Sequence, residues 1–338
     1  MRNPLSASGS VTPRPRVLLL RALGLGDFLT AVPAYRAVSR AFGGHRIVLA
    51  APGVLTDLAP LTGALDEVLP TGELQPVRWP GPPPEVAIDL HGRGPASHRL
   101  VAALHPHRLI VFGGPHGGGF PGPPWYPGEH EVARWCRLCE ESGIPADPGD
   151  LLLSGPEPEG TGTATAPTLI HAGAASGSRR WPAARFAAVT RQLAGAGHQI
   201  RLTGSAAERE LAERVARLAG LPSECVLAGA TTLAGLSALV VSARLVICGD
   251  TGVAHLASAH ARPSVALFGP VSPAEWGPPR RPRYQVLWPA RPGYRGDPHG
   301  AGIDPVLSAI TVTDVLSAAR RALRAVRTTG HQALGRAS

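Results

Sequence analysis

The chain has 338 residues, 44% of them hydrophobic, enough for two ordinary domains each with its own core. Its 33 basic residues, all arginine, outweigh 24 acidic ones and give a formal charge of +9, which admits an anionic partner. The arginines are scattered and no nucleic-acid-reading motif is present, so nucleic acid is excluded as a partner; no apolar run approaches the ~20 residues of a membrane span and no signal-peptide core opens the chain, so a cytoplasmic protein is expected.

Residues 1–14 are polar and interrupted by proline, and read as a mobile tail. Arg16–Leu20 is a continuous apolar run of the kind buried on both faces of a parallel sheet. It enters the turn Arg21–Asp27, after which Phe28, Val32, Tyr35 and Phe42 recur at helical spacing, and His45–Ala50 is the next strand. This is one βαβ unit within ~30 residues. Gly24-x-Gly26 partly matches a dinucleotide fingerprint, but Leu29 stands where a third glycine is needed and no acidic residue ends the second strand. The turn instead holds the Asp27 carboxylate at the C-terminal edge of a sheet, where such folds seat ligands; an N-cap is the other reading of Asp27. Val86–Leu90 is a further strand leading into a helix over 97–104. Asp89, His91 and Arg93 would then share the edge that carries Asp27, unless Asp89 only ties its loop down. Gly113–Gly128 reads as a flexible rim of the cleft or a disordered insertion. Glu131–Ser142 is helical and carries Cys136 and Cys139 beside His130. This C-x-x-C lacks the second pair of a zinc site, so both cysteines are expected at buried helix positions and no metal is expected.

Residues 156–167 are a linker by composition, dividing a first domain over 15–155 from a second over 168–312. There Thr168–Ala172 is a strand, and Gly173–Ser178 is a loop of small residues whose N–H groups, with the guanidinium forks of Arg179 and Arg180, can wrap a diphosphate. A helix follows Pro182, with Phe186, Val189 and Leu193 on one face. His198–Thr203 is the next strand, and Glu208 sits where a helix-start carboxylate meets the local dipole. Cys225–Leu227 reads as a strand, and Thr231–Thr232 opens a helix. Leu245–Cys248 is a buried strand broken at Gly249. Asp250-Thr251-Gly252 then begins a helix whose start favours phosphate, with His255 one turn on from Thr251, facing the same ligand or serving as a core histidine. Pro263–Phe268 is a second apolar strand. Beyond Trp276 the chain is rich in Arg and Pro up to Pro305, and a final helix over 313–328 turns Val315, Ala319, Ala322 and Val326 inward, before a tail over 329–338. The clusters Arg280, Arg281, Arg283 and Arg320, Arg321, Arg324, Arg327 are solvated faces or contacts with an anionic membrane surface.

Taken together, the chain resembles glycosyltransferase family 9, the heptosyltransferase-like enzymes. The resemblance is carried by Gly26-Asp27 with Pro33, Asp89-Leu90-His91-Gly92, Arg179 before Trp181-Pro182, and Gly204 with Glu208. It continues with Asp250-Thr251-Gly252 and His255, Leu267-Phe268-Gly269-Pro270 and Trp276-Gly277-Pro278. It implies an α/β protein of two Rossmann-like domains facing a central cleft, the GT-B architecture, with the last helix returning toward the first domain. It also implies inverting transfer of a heptose or similar sugar from a nucleotide-diphosphate donor, an ADP-sugar by resemblance, to a hydroxyl of a glycan or glycolipid, without metal or cofactor. Asp27 would be the catalytic base, with Gly26, Asp89, His91 and Arg93 on the acceptor side. Gly173, Ala174, Ser176, Arg179, Glu208, Thr231, Asp250, Thr251, Gly252 and His255 would bind the donor. The family has lysine where Arg179 stands, and a planar fork meets phosphate differently from a point charge. Peripheral contact with the anionic inner membrane face belongs to the same expectation. A sugar-nucleotide epimerase or hydrolase on this scaffold, a nucleotide-sugar-binding protein without catalysis, and a nicotinamide oxidoreductase are the alternatives.

Overall fold

Two parallel sheets of five strands each organise the chain. The computed structural model describes residues 14–115, 117–155, 163 and 165–334, with side chains up to Val326. The leading tail over 1–13, most of the linker and residues 335–338 lie outside the described residues.

The first sheet is built from β1 (Arg16–Leu20), β2 (Arg46–Ala51), β3 (Glu67–Pro70), β4 (Val86–Asp89) and β5 (Arg108–Ile110), in the order β3-β2-β1-β4-β5. The second has β6 (Thr168–His171), β7 (Ile200–Thr203), β8 (Leu245–Gly249), β9 (Ser264–Leu267) and β10 (Tyr284–Leu287), in the order β10-β9-β8-β6-β7. Every pairing is parallel. The central strands are buried along their length because helices cover both sheet faces, and this is why they read as unbroken apolar runs. In such sheets the ligand crevice lies beyond the carboxyl ends of the strands where the order reverses. These points fall between β1 and β4, where Leu20 pairs with Asp89, and between β6 and β8, where His171 pairs with Cys248.

Several elements depart from expectation. The helix after β1 is two pieces, α1 (Leu25–Thr30) and α2 (Val32–Ala41). Pro33 has no N–H for the Leu29 carbonyl four residues back, so the helix cannot run through. Gly24 is the N-cap of α1 and Asp27 stands inside the first turn, not at the cap. The edge strands β3, β5 and β10 were not expected. They are short and partly exposed, and Glu67, Arg108 and Gln285 interrupt their apolar pattern. Cys225–Leu227 is no strand: a 3-10 turn covers Ser223–Cys225, and Val226 makes a single bridge to Leu202. The described residues of the Gly/Pro-rich stretch, 113–115 and 117–128, are folded along the end of β5, where Gly113 donates to the Pro123 carbonyl at 2.8 Å and Trp125 stands edge-on to Phe112. They do not line the cleft described below.

The remaining helices are α3 (Ala96–Ala102), α4 (Glu131–Glu141), α5 (Ala183–Gly195), α6 (Arg209–Ala219), α7 (Leu233–Ser242), α8 (Gly252–Ala259), α9 (Pro273–Trp276), α10 (Pro305–Ala309) and α11 (Val312–Leu334). In the last one, Val315, Leu316, Ala318, Ala319 and Ala322 join the core of the second sheet, packing with β8, β9, β10 and α5. The β8–β9 face is fully apolar and needs that cover. The helix also runs on past Thr328 to Leu334.

The two units share a seam. One core cluster runs from Val17, Phe28 and Tyr35 of the first unit into Leu236, Val246, Val253 and Phe268 of the second. Helices α1 and α8 pack together across it, as do α7 and the 3-10 segment Gly53–Thr62. Glycines allow the close approach at α1 and α8. A Cβ at Gly26 would lie 3.2 Å from the His255 ring, and one at Gly252 would lie 2.8 Å from Leu25 Cβ and 3.0 Å from the Gly26 nitrogen.

Candidate active site

The two helix starts and the loops after β6 and β7 enclose a cleft of about 480 Å³. From the first unit, Gly24, Leu25, Gly26 and Asp27 line it; from the second come Ala174, Arg179, Glu208, Asp250, Thr251, Gly252 and His255. The sequence had picked out most of these.

Asp27 projects from the first turn of α1, and its side chain is 28% exposed. Beneath it lies Arg21, with no exposed surface. The Arg21 guanidinium donates to the Asp27 and Leu90 carbonyls, to Thr30 Oγ1 at 3.2 Å and to Glu131 Oε1 at 3.0 Å, and stands 3.4 Å from Asp27 Oδ1. Burial raises the Asp27 carboxyl above the usual carboxylate range; Arg21 pulls against this and Glu131 adds to it.

Across the cleft, β8 delivers Asp250, which is buried. Burial pushes its carboxyl up to about 6, with the guanidinium of Arg179 pulling the other way. Arg179 Nη1 lies 3.8 Å from Asp250 Oδ2 and 3.5 Å from its carbonyl oxygen, so the pair braces the loop after β6 against the end of β8. Thr251 is the N-cap of α8, and its hydroxyl makes no hydrogen bond there. The first N–H groups of α8 thus open into the cleft with a neighbouring cation, an arrangement that favours a bound anion. His255, one turn on, stands edge-on to Trp276 with ring centroids 6.2 Å apart, and burial lowers it to about 4, so it is a neutral imidazole at neutral pH.

Glu208 serves two ends at once. Its carboxylate closes a capping box with Ser205 at the start of the helical segment after β7, accepting from the Ser205 N–H at 2.8 Å, and it lines the cleft. Gly173 lies against that carboxylate, and any side chain there would collide with it. Ser176 turns aside and donates to the Pro298 carbonyl at 2.5 Å. Thr231 lies outside the cleft lining; its neighbour Thr232 caps α7 through Gly235.

The acceptor-side group is not assembled as expected. Asp89, His91 and Arg93 are absent from the cleft lining. Asp89 is fully buried, accepts from the His91 N–H at 2.8 Å, and keeps a second oxygen without a partner 3.9 Å from His98 Nε2. His91 Nδ1 accepts from the Ala22 N–H at 3.2 Å. These residues tie the loop after β4 to the turn that carries Asp27, while Arg93 is exposed. Burial pushes the Asp89 carboxyl up to about 7. Because its folded pKa exceeds the unfolded one, the native state binds its proton more tightly than the unfolded chain. The stability this carries is full below about pH 4 and is lost as pH rises to about 7. Asp89→Asn therefore flattens the stability–pH curve over that window and gains on the order of 2–4 kcal/mol over wild type at pH 8, measured by denaturant unfolding. Parallel curves for the two proteins would exclude this account.

His171, Val271, Trp276, Pro298 and His299 also line the cleft and were not among the expected site residues. His171 ends β6, with Nδ1 3.1 Å from Thr203 Oγ1, and burial lowers its pKa. Its place on the last residue of a strand at the reversal point was the available signal. His299 comes from the loop after β10, which folds onto the small-residue loop: Ser178 donates to the Gly300 carbonyl at 2.9 Å and accepts from the Asp304 N–H at 3.2 Å. Nothing in the sequence of that loop announced the contact. Cys136 and Cys139 are both buried, Cys139 within the core cluster of the first sheet, and burial pushes both thiols up to about 12. Among the described residues no group of three or more His, Cys, Asp or Glu could hold a metal ion, and no helix is long and apolar enough to cross a membrane.

Comparison with known proteins bears on the family and the fold. The family model of glycosyltransferase family 9 (heptosyltransferase) matches residues 124–294. Lipopolysaccharide heptosyltransferase 2 of Salmonella typhimurium is 37% identical over 115 residues, a stretch covering 32% of each chain, so the match spans about a third of that relative's length. Among solved structures, Escherichia coli ADP-heptose LPS heptosyltransferase II superposes with a TM-score of 0.72 at 23% identity, covering 91% of this chain and 98% of that one. E. coli heptosyltransferase WaaC with ADP gives 0.65 at 20% identity, covering 89% and 98%. These structural likenesses fix the fold as GT-B. With just over half of the sequence under the family model, and 91% of the chain superposing on a heptosyltransferase fold, the chain belongs to glycosyltransferase family 9.

Proposed function

We propose that the chain is an inverting glycosyltransferase that moves a heptose or similar sugar from a nucleotide-diphosphate donor to a hydroxyl of a glycan or glycolipid, with Asp27 as general base. The carrying observation is that Asp27 faces the same 480 Å³ cleft as Arg179 and the start of α8. Sugar transfer develops positive charge at the anomeric carbon and negative charge on the departing diphosphate. Arg179, the N–H groups of α8 and the loop around Ala174 supply fixed dipoles and a cation for that leaving group, and Asp27 accepts the proton of the attacking hydroxyl. On this reading Glu208 and His171 hold the nucleotide sugar, and no metal takes part. A base works best with a pKa raised toward the working pH, and burial raises Asp27 in that direction. An ADP-sugar is favoured as donor, since one structural neighbour is a heptosyltransferase with ADP. The exposed arginines 280, 281, 320 and 321 would let the protein rest on an anionic membrane face where a glycolipid acceptor is presented.

Thermal-shift screening against ADP, UDP, GDP and their sugars, in buffer with a chelator, tests the donor side. A diphosphate at 100 times its Kd stabilises the native state by about 2.7 kcal/mol, a readily measured rise in melting temperature. If no nucleotide diphosphate raises it, the assignment of the cleft is wrong.

A further inference from the structure

Arg21 and Glu131 form a buried pair that no part of the proposed transfer chemistry has so far used. Arg21 directly follows β1 and Glu131 opens α4; Trp135 Nε1 donates to the same Glu131 oxygen at 2.8 Å, and its ring lies 4.7 Å from the Arg21 guanidinium carbon. Arg134 bonds the other Glu131 oxygen. A buried charge pair of this kind is costly unless its hydrogen bonds are filled. Here they are filled, and two of the Arg21 bonds end on Asp27 itself, one on its carbonyl and one on its carboxylate.

Resting on the assignment of Asp27 as base, we propose that Arg21 and Glu131 are positioning residues that set the place and basicity of the Asp27 carboxylate. Arg21 fixes the first turn of α1 from below and holds one oxygen of Asp27, leaving the other for an acceptor hydroxyl. Alone, so close a cation would make Asp27 a poor base. Glu131 offsets that charge, and α4 thereby takes part in the chemistry without touching the cleft. Other groups facing Asp27 are Tyr35 on α2, His255 on α8, and, across the cleft, Arg179, Asp250, Glu208, His171 and His299. Tyr35 is raised out of the working range by burial and His255 lowered to about 4, so neither changes charge between pH 5 and 8. Asp250, at about 6, does titrate there and does so in every variant.

The test is the pH profile of kcat/KM for sugar transfer together with nucleotide affinity. In Glu131→Gln the Arg21 charge is no longer offset, so the acidic limb moves to lower pH, by roughly one unit, and the plateau falls because the base is weaker. Arg21→Lys keeps the charge but loses the planar fork, and lowers kcat by about ten- to a hundredfold with nucleotide Kd unchanged. Should Glu131→Gln fail to fold, as circular dichroism would reveal, the double variant Arg21→Met with Glu131→Gln removes both charges of the pair and leaves Arg134 with Glu129, whose carbonyl it bonds at 2.9 Å; its kcat falls at least as far as that of Arg21→Lys. An unmoved acidic limb in Glu131→Gln, or wild-type kcat in Arg21→Lys or in the double variant, overturns the inference. If Asp27→Asn itself turns over at the wild-type rate, the base assignment has failed instead, and that result is distinct from the others.

Discussion

Asp27→Asn is expected to bind nucleotide diphosphate as tightly as wild type and to transfer sugar about a thousandfold more slowly. The substitution preserves shape and the contact with Arg21, since the amide oxygen still accepts, and it leaves the second unit untouched. What it removes is the only carboxylate that, among the described residues, the first unit brings to the cleft lining. General-base catalysis contributes on the order of 10²–10⁴ in rate, so the loss belongs in kcat and not in donor affinity. Isothermal titration with the nucleotide and a transfer assay with labelled donor separate the two. A variant with ordinary turnover would mean that the proton leaves by another route.

The second large effect comes from a single methyl group. In Gly252→Ala the new Cβ would meet Leu25 Cβ at 2.8 Å, closer than such atoms come, and the Gly26 nitrogen at 3.0 Å, a tight contact. Neither obstacle is the loose end of a long side chain, so relief requires α1 and α8 to part. Alanine is a better helix former than glycine, so α8 itself is not weakened. The expected result is a melting temperature lowered by several degrees, since overpacking a core contact costs about 1–3 kcal/mol, with kcat/KM down about a hundredfold, because a displacement of ~1 Å between reacting groups has that consequence. Turnover within a few-fold of wild type would show that the seam does not set the distance across the cleft.

The sequence made the central strands and both helix starts legible for one physical reason: strands buried on two faces, and turns that must present backbone N–H groups, leave composition no freedom. Arg16–Leu20 and Leu245–Cys248 could hardly be anything else. The edge strands around Glu67, Arg108 and Gln285 gave no such signal, since a strand with one open side tolerates charge. Asp89 shows the limit for single residues. Its motif placed it at the right sheet edge, but not whether its side chain points to solvent or inward, and the structure buries it. Pairings between distant loops were out of reach altogether. His299 reaches the cleft only because its loop is held to Ser178, and Arg21 meets Glu131 only because α4 returns beneath β1's end. The final helix illustrates the same point, for its inward face was evident but not which sheet it would cover.

The apolar cluster that runs unbroken from Phe28 to Val253 makes the two halves joint owners of one interior. A chimera that borrowed the nucleotide-gripping half from a relative would inherit half of a mated surface, with Gly26 facing a stranger. The exchangeable module is therefore the second unit together with α1, and changes of donor preference by wholesale swapping are confined to relatives that keep small residues on both sides of that joint.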